Sequence, residues 1–217
     1  MSTISLRDVK PKIFDGDLSE EMLSRYLKQK FVTVDTETRG LILRRDRLCV
    51  VQVGDQEGNI SLVRYRDRDR LPFTHETNLK KLLEDQKVLK VFHYARFDLA
   101  VLKYYLGAQT RPVWCTKIAS KLVRTYSDRH SLKELGRELL GMEMDKNDQT
   151  SDWAKEDLTD SQLEYAANDV KLLVPIYLKI KEMVDREGLT ELAERLSNFV
   201  EVISDLDARG WTNIFDH

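Results

Sequence analysis

The chain has 217 residues, 41% of them hydrophobic and 33% charged, which suits one sizeable core of a soluble globular protein. No apolar run approaches the length of a membrane span, and the opening MSTISLRDVKPK has no apolar signal-peptide core, so neither a membrane-spanning nor a secreted chain is expected. Two distant cysteines, Cys49 and Cys115, argue against a disulfide framework or a zinc site and read as reduced, buried thiols of a cytoplasmic protein. A formal net charge of −2 and a pI near 6.1 give no global sign of nucleic-acid binding. Local charge is more informative: Arg44, Arg45 and Arg47 form one basic group, and Arg124, Arg129 and Lys133 a second.

In chain order, residues 19–29 place Met22, Leu23, Tyr26 and Leu27 at helical spacing, with Ser19 as N-cap and Glu20 and Glu21 in the first turn. The stretch FVTVDTET at 31–38 follows. Its uncharged start, Phe31-Val32-Thr33-Val34, reads as a strand buried on both faces at the centre of a sheet. Residues 48–53 (LCVVQV) and 60–63 read as two further strands, joined as a hairpin through GDQEGN. RYRDRDR at 64–70 alternates in sign and reads as a solvated loop. Next come a short helix at 78–84, a buried strand at 88–92 and an amphipathic helix at 97–106 closed by Gly107. A short strand at 113–115 leads into helices at 116–123 and 131–140, the second with Ser131 and Glu134 in capping-box spacing and Gly141 behind it. Thr159 and Gln162 repeat the box before a long helix from Asp160, which Pro175 is expected to kink or break. Residues 190–207 form the last helix, ahead of the tail GWTNIFDH. With no repeat, low-complexity segment or flexible linker, the chain reads as one α/β domain with a mixed central sheet and helices on both faces.

Three places in this order carry chemistry. Side chains alternate along a strand, so Asp35 and Glu37 point to the same side. Two carboxylates that close resist joint ionisation unless a cation lies between them, and Mg²⁺ prefers such hard oxygen ligands. Asp98 sits in the first turn of a helix just beyond a strand end, where ligands gather in open α/β sheets. Tyr165 and Asp169 are four residues apart on one helix and share a face, with Ala166 and Ala167 permitting close approach.

Asp35-x-Glu37, then His93-x-x-x-Phe97-Asp98, then Tyr165-x-x-x-Asp169, in that order, resembles the DEDD superfamily of 3′→5′ exonucleases. The tyrosine, with Glu164 where the sister subgroup has histidine, looks like the DEDDy subgroup. The stretches Asp145-Lys146 and Gln149-Thr150-Ser151-Asp152-Trp153 look like its ribonuclease D family. That resemblance covers about residues 15–185 and implies a ribonuclease H-like fold. Ribonuclease D proper carries helical domains after the catalytic one, whereas this chain ends at His217, so no such domain is expected. Arg45-Asp46-Arg47-Leu48-Cys49, Arg124-Thr125-Tyr126-Ser127-Asp128-Arg129-His130 and the tail Gly210-Trp211 … Ile214-Phe215-x-His217 are similar to the nanoRNase C type. Those enzymes degrade very short RNA, dinucleotides above all, and assemble as ring-shaped octamers.

The resemblance implies two divalent cations, Mg²⁺ or Mn²⁺. Asp35, Glu37 and Asp169 hold one, and Asp35 holds the other with Asp98 acting through its water shell. Tyr165 orients the attacking water rather than taking its proton, because a phenol with a pKa near 10 is a poor base at neutral pH. The implied activity is hydrolysis of RNA from its 3′ end to 5′-mononucleotides, with an RNA substrate and a homo-oligomeric assembly as partners. Candidate substrate contacts are Thr36 and Thr38 on the first motif, Leu41 as a wedge between bases, and His93 and Arg96 beside the second motif. Gln149 and Trp153 are candidates for the terminal-nucleotide pocket, and Arg124, Arg129 and His130 for gripping a 5′ phosphate. Trimming of longer structured RNA, DNA exonuclease activity and a non-catalytic RNA-binding module are the competing readings.

Overall fold

In the computed structural model the described residues are 10–66, 72, 75–142, 151–211 and 214. Six strands form one sheet: β1 (Lys12–Asp15), β2 (Phe31–Thr38), β3 (Leu48–Gly54), β4 (Ile60–Arg64), β5 (Leu89–Phe92) and β6 (Val113–Cys115). Their order is β1-β4-β3-β2-β5-β6. The β2–β3 and β3–β4 pairs are antiparallel, and β5, β6 and β1 join in parallel, so the sheet is mixed as expected. The motif strand β2 lies inside the sheet between β3 and β5, and its first four residues are all buried. An uncharged run is what a strand covered on both faces requires.

Among the described residues seven α-helices flank the sheet: α1 (Glu20–Tyr26), α2 (Asn78–Glu84), α3 (Ala95–Leu106), α4 (Thr116–Val123), α5 (Leu132–Leu135), α6 (Asp160–Arg186) and α7 (Thr190–Arg209). Side chains from α1, α2 and α3 pack with Val32, Val34, Val51 and Val53 in one cluster. Those of α6 pack with Phe31, Val91 and Trp114, and with Val50 and Leu62, in two more. Alternation along the strands divides the apolar side chains between these layers.

Several local expectations hold in atomic detail. Ser19 Oγ accepts from Met22 N, and Gly107 closes α3 in the left-handed conformation with φ of 61°. Both halves of the Thr159–Gln162 capping box are formed. Cys49 and Cys115 are buried and neither is in a disulfide. No described helix is long and apolar enough to cross a membrane.

Three details differ from expectation. Strand β1 is new; its mostly exposed KIFD has no alternating apolar pattern, and pairing with the edge of β4 makes it a strand. The helix expected at 131–140 is α-helical only at Leu132–Leu135 and widens into a π-helical turn at Gly136–Leu140. Helix α6 runs unbroken through Pro175. Leu172, Leu173 and Val174 before the proline and Ile176 and Tyr177 after it are all buried, and that anchorage outweighs the lost hydrogen bond.

Candidate active site

Strand β2 and helix α6 build the centre of the site. Thr33, Asp35 and Glu37 share one face of β2 by alternation. Thr33 Oγ1 donates to the carbonyl of Val170 at 2.8 Å, tying the strand to α6 one residue beyond Asp169. The neighbouring strand permits this approach because residue 54 is glycine. A Cβ there would lie 2.8 Å from Thr33 Oγ1 and 3.3 Å from the Val170 side chain. Ala166 and Ala167, both buried, keep the adjoining helix face thin. As a result, one carboxylate oxygen each from Asp35, Glu37 and Asp169 lie within 4.8 Å of one another.

Asp98 enters from α3. It is 4% exposed in the first turn of that helix, and Thr36 Oγ1 donates to its Oδ1 at 2.6 Å. Tyr94, left-handed with φ of 67°, makes the abrupt turn from β5 into α3. Its half-exposed ring carries the Lys117 ammonium 4.1 Å from its centroid. A non-glycine residue held there stores backbone strain, which concentrates at functional sites.

The electrostatics follow from this crowding. Burial, then the charges of Asp98, Asp169 and Glu37, raise the Asp35 carboxyl far above its ordinary range. Glu37 rises for the same reasons, pushed by burial and by Asp169 and Asp98. Burial pushes Asp98 up to about 7 against the pull of the Thr36 hydroxyl. Asp169 also rises to about 7 through burial, opposed by its hydrogen bond with the Tyr165 phenol. Burial and the surrounding carboxylates raise Tyr165 too, so the phenol keeps its proton. Among the described residues, the leading charges acting on Asp35 and Glu37 are other carboxylates. Hard oxygen donors gathered in this way fit a divalent cation.

Residues 12–185 match the model of a family described as 3′-5′ exonuclease. DNA polymerase I of Aquifex aeolicus is 35% identical over 197 residues, which cover 89% of this chain and 32% of that protein. Ribonuclease D of Gluconacetobacter diazotrophicus is 32% identical over 168 residues, covering 77% of this chain and 41% of that protein. The chain thus spans only 32% and 41% of the length of these two relatives. NrnC of Brucella melitensis, solved with bound Mg²⁺, superposes with a TM-score of 0.87 and 42% identity over 96% of this chain and 100% of that one. The same protein bound to pGG matches at 43% identity and a TM-score of 0.87, over 96% and 99% of the two chains. This chain belongs to the 3′-5′ exonuclease family, in its ribonuclease D and NrnC-like branch. Its fold is ribonuclease H-like.

The exonuclease places its other candidate residues unevenly. Leu41 is 83% exposed, and Ile42 beside it is also open. The 40–46 loop that presents them is built on Asp46, whose Oδ2 accepts from Ile42 N at 2.8 Å. A Cβ at Gly40 would meet that same oxygen at 2.5 Å, so a side chain there would have to displace the Asp46 carboxylate that holds the loop. Thr38 is turned to the base of this loop, where its hydroxyl donates to the Gly40 carbonyl. Trp153 is buried against Tyr165, ring centroids 6.1 Å apart, and so backs helix α6. Gln149 lies outside the described residues.

His93 Nδ1 lies 3.0 Å from the Thr116 hydroxyl, and burial drives the imidazole down to about 3, keeping it neutral. Arg96 meets Asp207 on α7 through two bonds of 2.6 and 2.9 Å. Arg124 is wholly buried and joins Glu138, the Ser120 hydroxyl and the Arg129 carbonyl. His130 Nδ1 lies 2.9 Å from Ser120 Oγ in the same network, and only Arg129 of the three keeps a largely exposed side chain.

Thr33, Gly54, Asp46 and Tyr94 escaped sequence reasoning, because each acts through a neighbour brought close by folding. Gln52 did as well. It pairs with Asp35 across β2 and β3, and its buried carboxamide has no hydrogen-bond partner among the described residues. A lone glutamine within an apolar strand was the available signal, since a buried amide normally has a partner.

Proposed function

We propose that this exonuclease is a metal-dependent exoribonuclease that cuts very short RNA, dinucleotides above all, from the 3′ end to 5′-mononucleotides. The trio of Asp35, Glu37 and Asp169 carries the reading. Likeness along the whole of NrnC, whose pGG-bound form holds a dinucleotide, supports the preference for short RNA. Mg²⁺ or Mn²⁺ would be held by Asp35, Glu37 and Asp169, and a second cation by Asp35 with Asp98 acting through its water shell. When bound, such cations supply Lewis-acid activation of the attacking water and neutralise charge on the leaving oxygen.

The chain's own residues do the rest. The Tyr165 phenol, still protonated, orients the water by hydrogen bonding and does not accept its proton. Thr36 holds Asp98 in one orientation. Leu41, exposed at its loop tip, offers an apolar edge to an unpaired base. Arg129, 68% exposed and only loosely paired with Glu134 at 4.0 Å, offers a cationic group for a 5′ phosphate, with His130 near it. Exposed Trp211 and Ile214 near the end of α7 support assembly into a homo-oligomer, an octameric ring by analogy. The exonuclease domain is the functional unit in this reading.

The match to a DNA polymerase I favours one alternative, a 3′-5′ DNA exonuclease. The ribonuclease D relatives favour another, trimming of longer structured RNA. One experiment separates them: 5′-labelled RNAs from dinucleotides upward, and a matching DNA series, incubated with Mg²⁺ or EDTA and resolved over time. Rapid Mg²⁺-dependent loss of RNA dinucleotides is the expected result. Persistence of dinucleotides beside a ladder on long RNA would replace it with the trimming role, and equal loss of DNA with the DNA exonuclease.

A further inference from the structure

The family match ends at residue 185, before α7 begins at Thr190. Yet the last two turns of α7 hold two elements on either side of the candidate site. The first is the opening turn of α3. Asp207 takes the Arg96 guanidinium through Nε and Nη2 at 2.6 and 2.9 Å, and the buried Ser204 hydroxyl donates to the Arg96 backbone carbonyl at 2.9 Å. Residue 96 is thus gripped by side chain and backbone two positions before Asp98. The second element is the loop that exposes Leu41. Arg44 in that loop donates through Nη2 to the carbonyl of Ala208, and its guanidinium also lies 5.6 Å from the Tyr104 ring of α3.

We infer that residues 204–208 of α7 form a positioning clasp that sets Asp98 and the Leu41 loop relative to each other. Two features distinguish it from ordinary helix packing. The bidentate geometry fixes the guanidinium in one plane, which a single charge contact does not. The Asp207 side chain is 19% exposed and that of Arg96 40%, so the pair is screened less than one with both partners in open solvent. The single Ser204 hydroxyl proton is shared between the Arg96 carbonyl and the Val200 carbonyl of its own helix at 2.8 Å, so Ser204 is the weaker member of the clasp and Asp207 the stronger. The Arg111–Glu201 pair ties the same helix to the segment before β6, away from both site elements, and serves as an internal control. The clasp requires no reacting group. Asp207, Ser204 and Ala208 are positioning residues.

Its effect on catalysis rests on the reading of Asp98 as part of the metal site, but its effect on structure does not. Hydrogen exchange of the metal-free protein therefore tests the clasp first, with Asp207→Ala, Ser204→Ala and Glu201→Ala compared to the parent. Amides of residues 95–100 and 41–46 are expected to exchange about tenfold faster in Asp207→Ala, with β2 and β3 unchanged and Glu201→Ala silent at those segments. With substrate, the same variant is expected to need several-fold more Mg²⁺ for half-maximal rate, while KM moves less than kcat. Asp207→Asn, which keeps the shape and loses the charge, should fall between parent and alanine, and it replaces Asp207→Ala should that variant not fold. Unchanged exchange at 95–100 would overturn the clasp, as would faster exchange spread evenly over the fold. Faster local exchange with an unaltered Mg²⁺ requirement would leave the clasp standing and remove Asp98 from the metal site.

Discussion

Two charged clusters lie beneath this protein's surface, and they are built on opposite principles. At the end of β2, Asp35, Glu37, Asp98 and Asp169 are brought together, and among the described residues the leading charges acting on Asp35 and Glu37 are other carboxylates. Behind α4, Arg124 is buried at 0% exposure, but Glu138, Ser120 and the Arg129 carbonyl satisfy its guanidinium. The second cluster is complete within the chain and acts as a cross-link. The first is complete only when something cationic joins it. Buried charge marks a reactive site when the fold leaves it uncompensated and marks a fastener when the fold supplies its partner.

The sharpest way to break this contrast is Asp35→Ala. It is expected to remove detectable turnover while leaving the circular-dichroism spectrum and metal-free melting temperature at or above those of the parent, because one of four mutually repelling acids is gone. A loss of folding, or retained activity, would refute it. Tyr165→Phe keeps the ring and loses the hydroxyl. A fall in kcat of about 10- to 100-fold with little change in KM is expected, read from steady-state kinetics on a dinucleotide.

The opposite cluster should answer in stability. Arg124→Ala is expected to cost about 2–4 kcal/mol in urea unfolding, since it empties the space of a wholly buried side chain and leaves the buried Ser120 hydroxyl without its guanidinium partner. Arg129→Ala, at an exposed position, should stay within about 0.5 kcal/mol while raising KM for 5′-phosphorylated dinucleotides. If Arg124→Ala left stability intact and raised KM instead, the two arginines would exchange roles.

The smallest expected effect concerns pH. Burial raises Asp98 and Asp169 from an ordinary 3.8 to about 7 in the metal-free fold. A raised carboxyl means that the native state holds the proton more tightly than the unfolded chain. Its contribution to stability is therefore full below the unfolded value and is lost as pH rises toward the folded one. The metal-free protein should accordingly lose melting temperature between about pH 4 and about pH 7. Mg²⁺ must displace these protons, so the rise in melting temperature that it causes should grow from about pH 6 to about pH 8. Differential scanning fluorimetry with Mg²⁺ and with EDTA reads both trends. A pH-independent Mg²⁺ shift would mean that these acids are already ionised in the free protein.

Much of this was legible in the chain. The strand FVTVDTET, the acid in the first turn of α3 and the Tyr165–Asp169 pair at helical spacing are local patterns. A period of two or of four residues decides which side chains share a face before any tertiary contact forms. The capping residues Ser19, Thr159 and Gly107 were legible for the same reason, since each acts within one turn. The order and spacing of those motifs also sufficed for the family.

Only the tertiary structure decided what each charge does. Arg96 and Arg124 read from sequence as phosphate contacts, but their engagement by Asp207 and Glu138 lies 111 and 14 residues away along the chain. Strand β1 exists because an edge was open to it, and α6 survives Pro175 because its neighbours are anchored on both sides. The Gly54 gap that lets Thr33 reach α6, and the approach of Asp169 to Asp35 and Glu37, are distances between elements. Sequence periodicity specifies the face a side chain takes. Which group it meets there, and whether its charge is answered, depends on the packing of the whole chain.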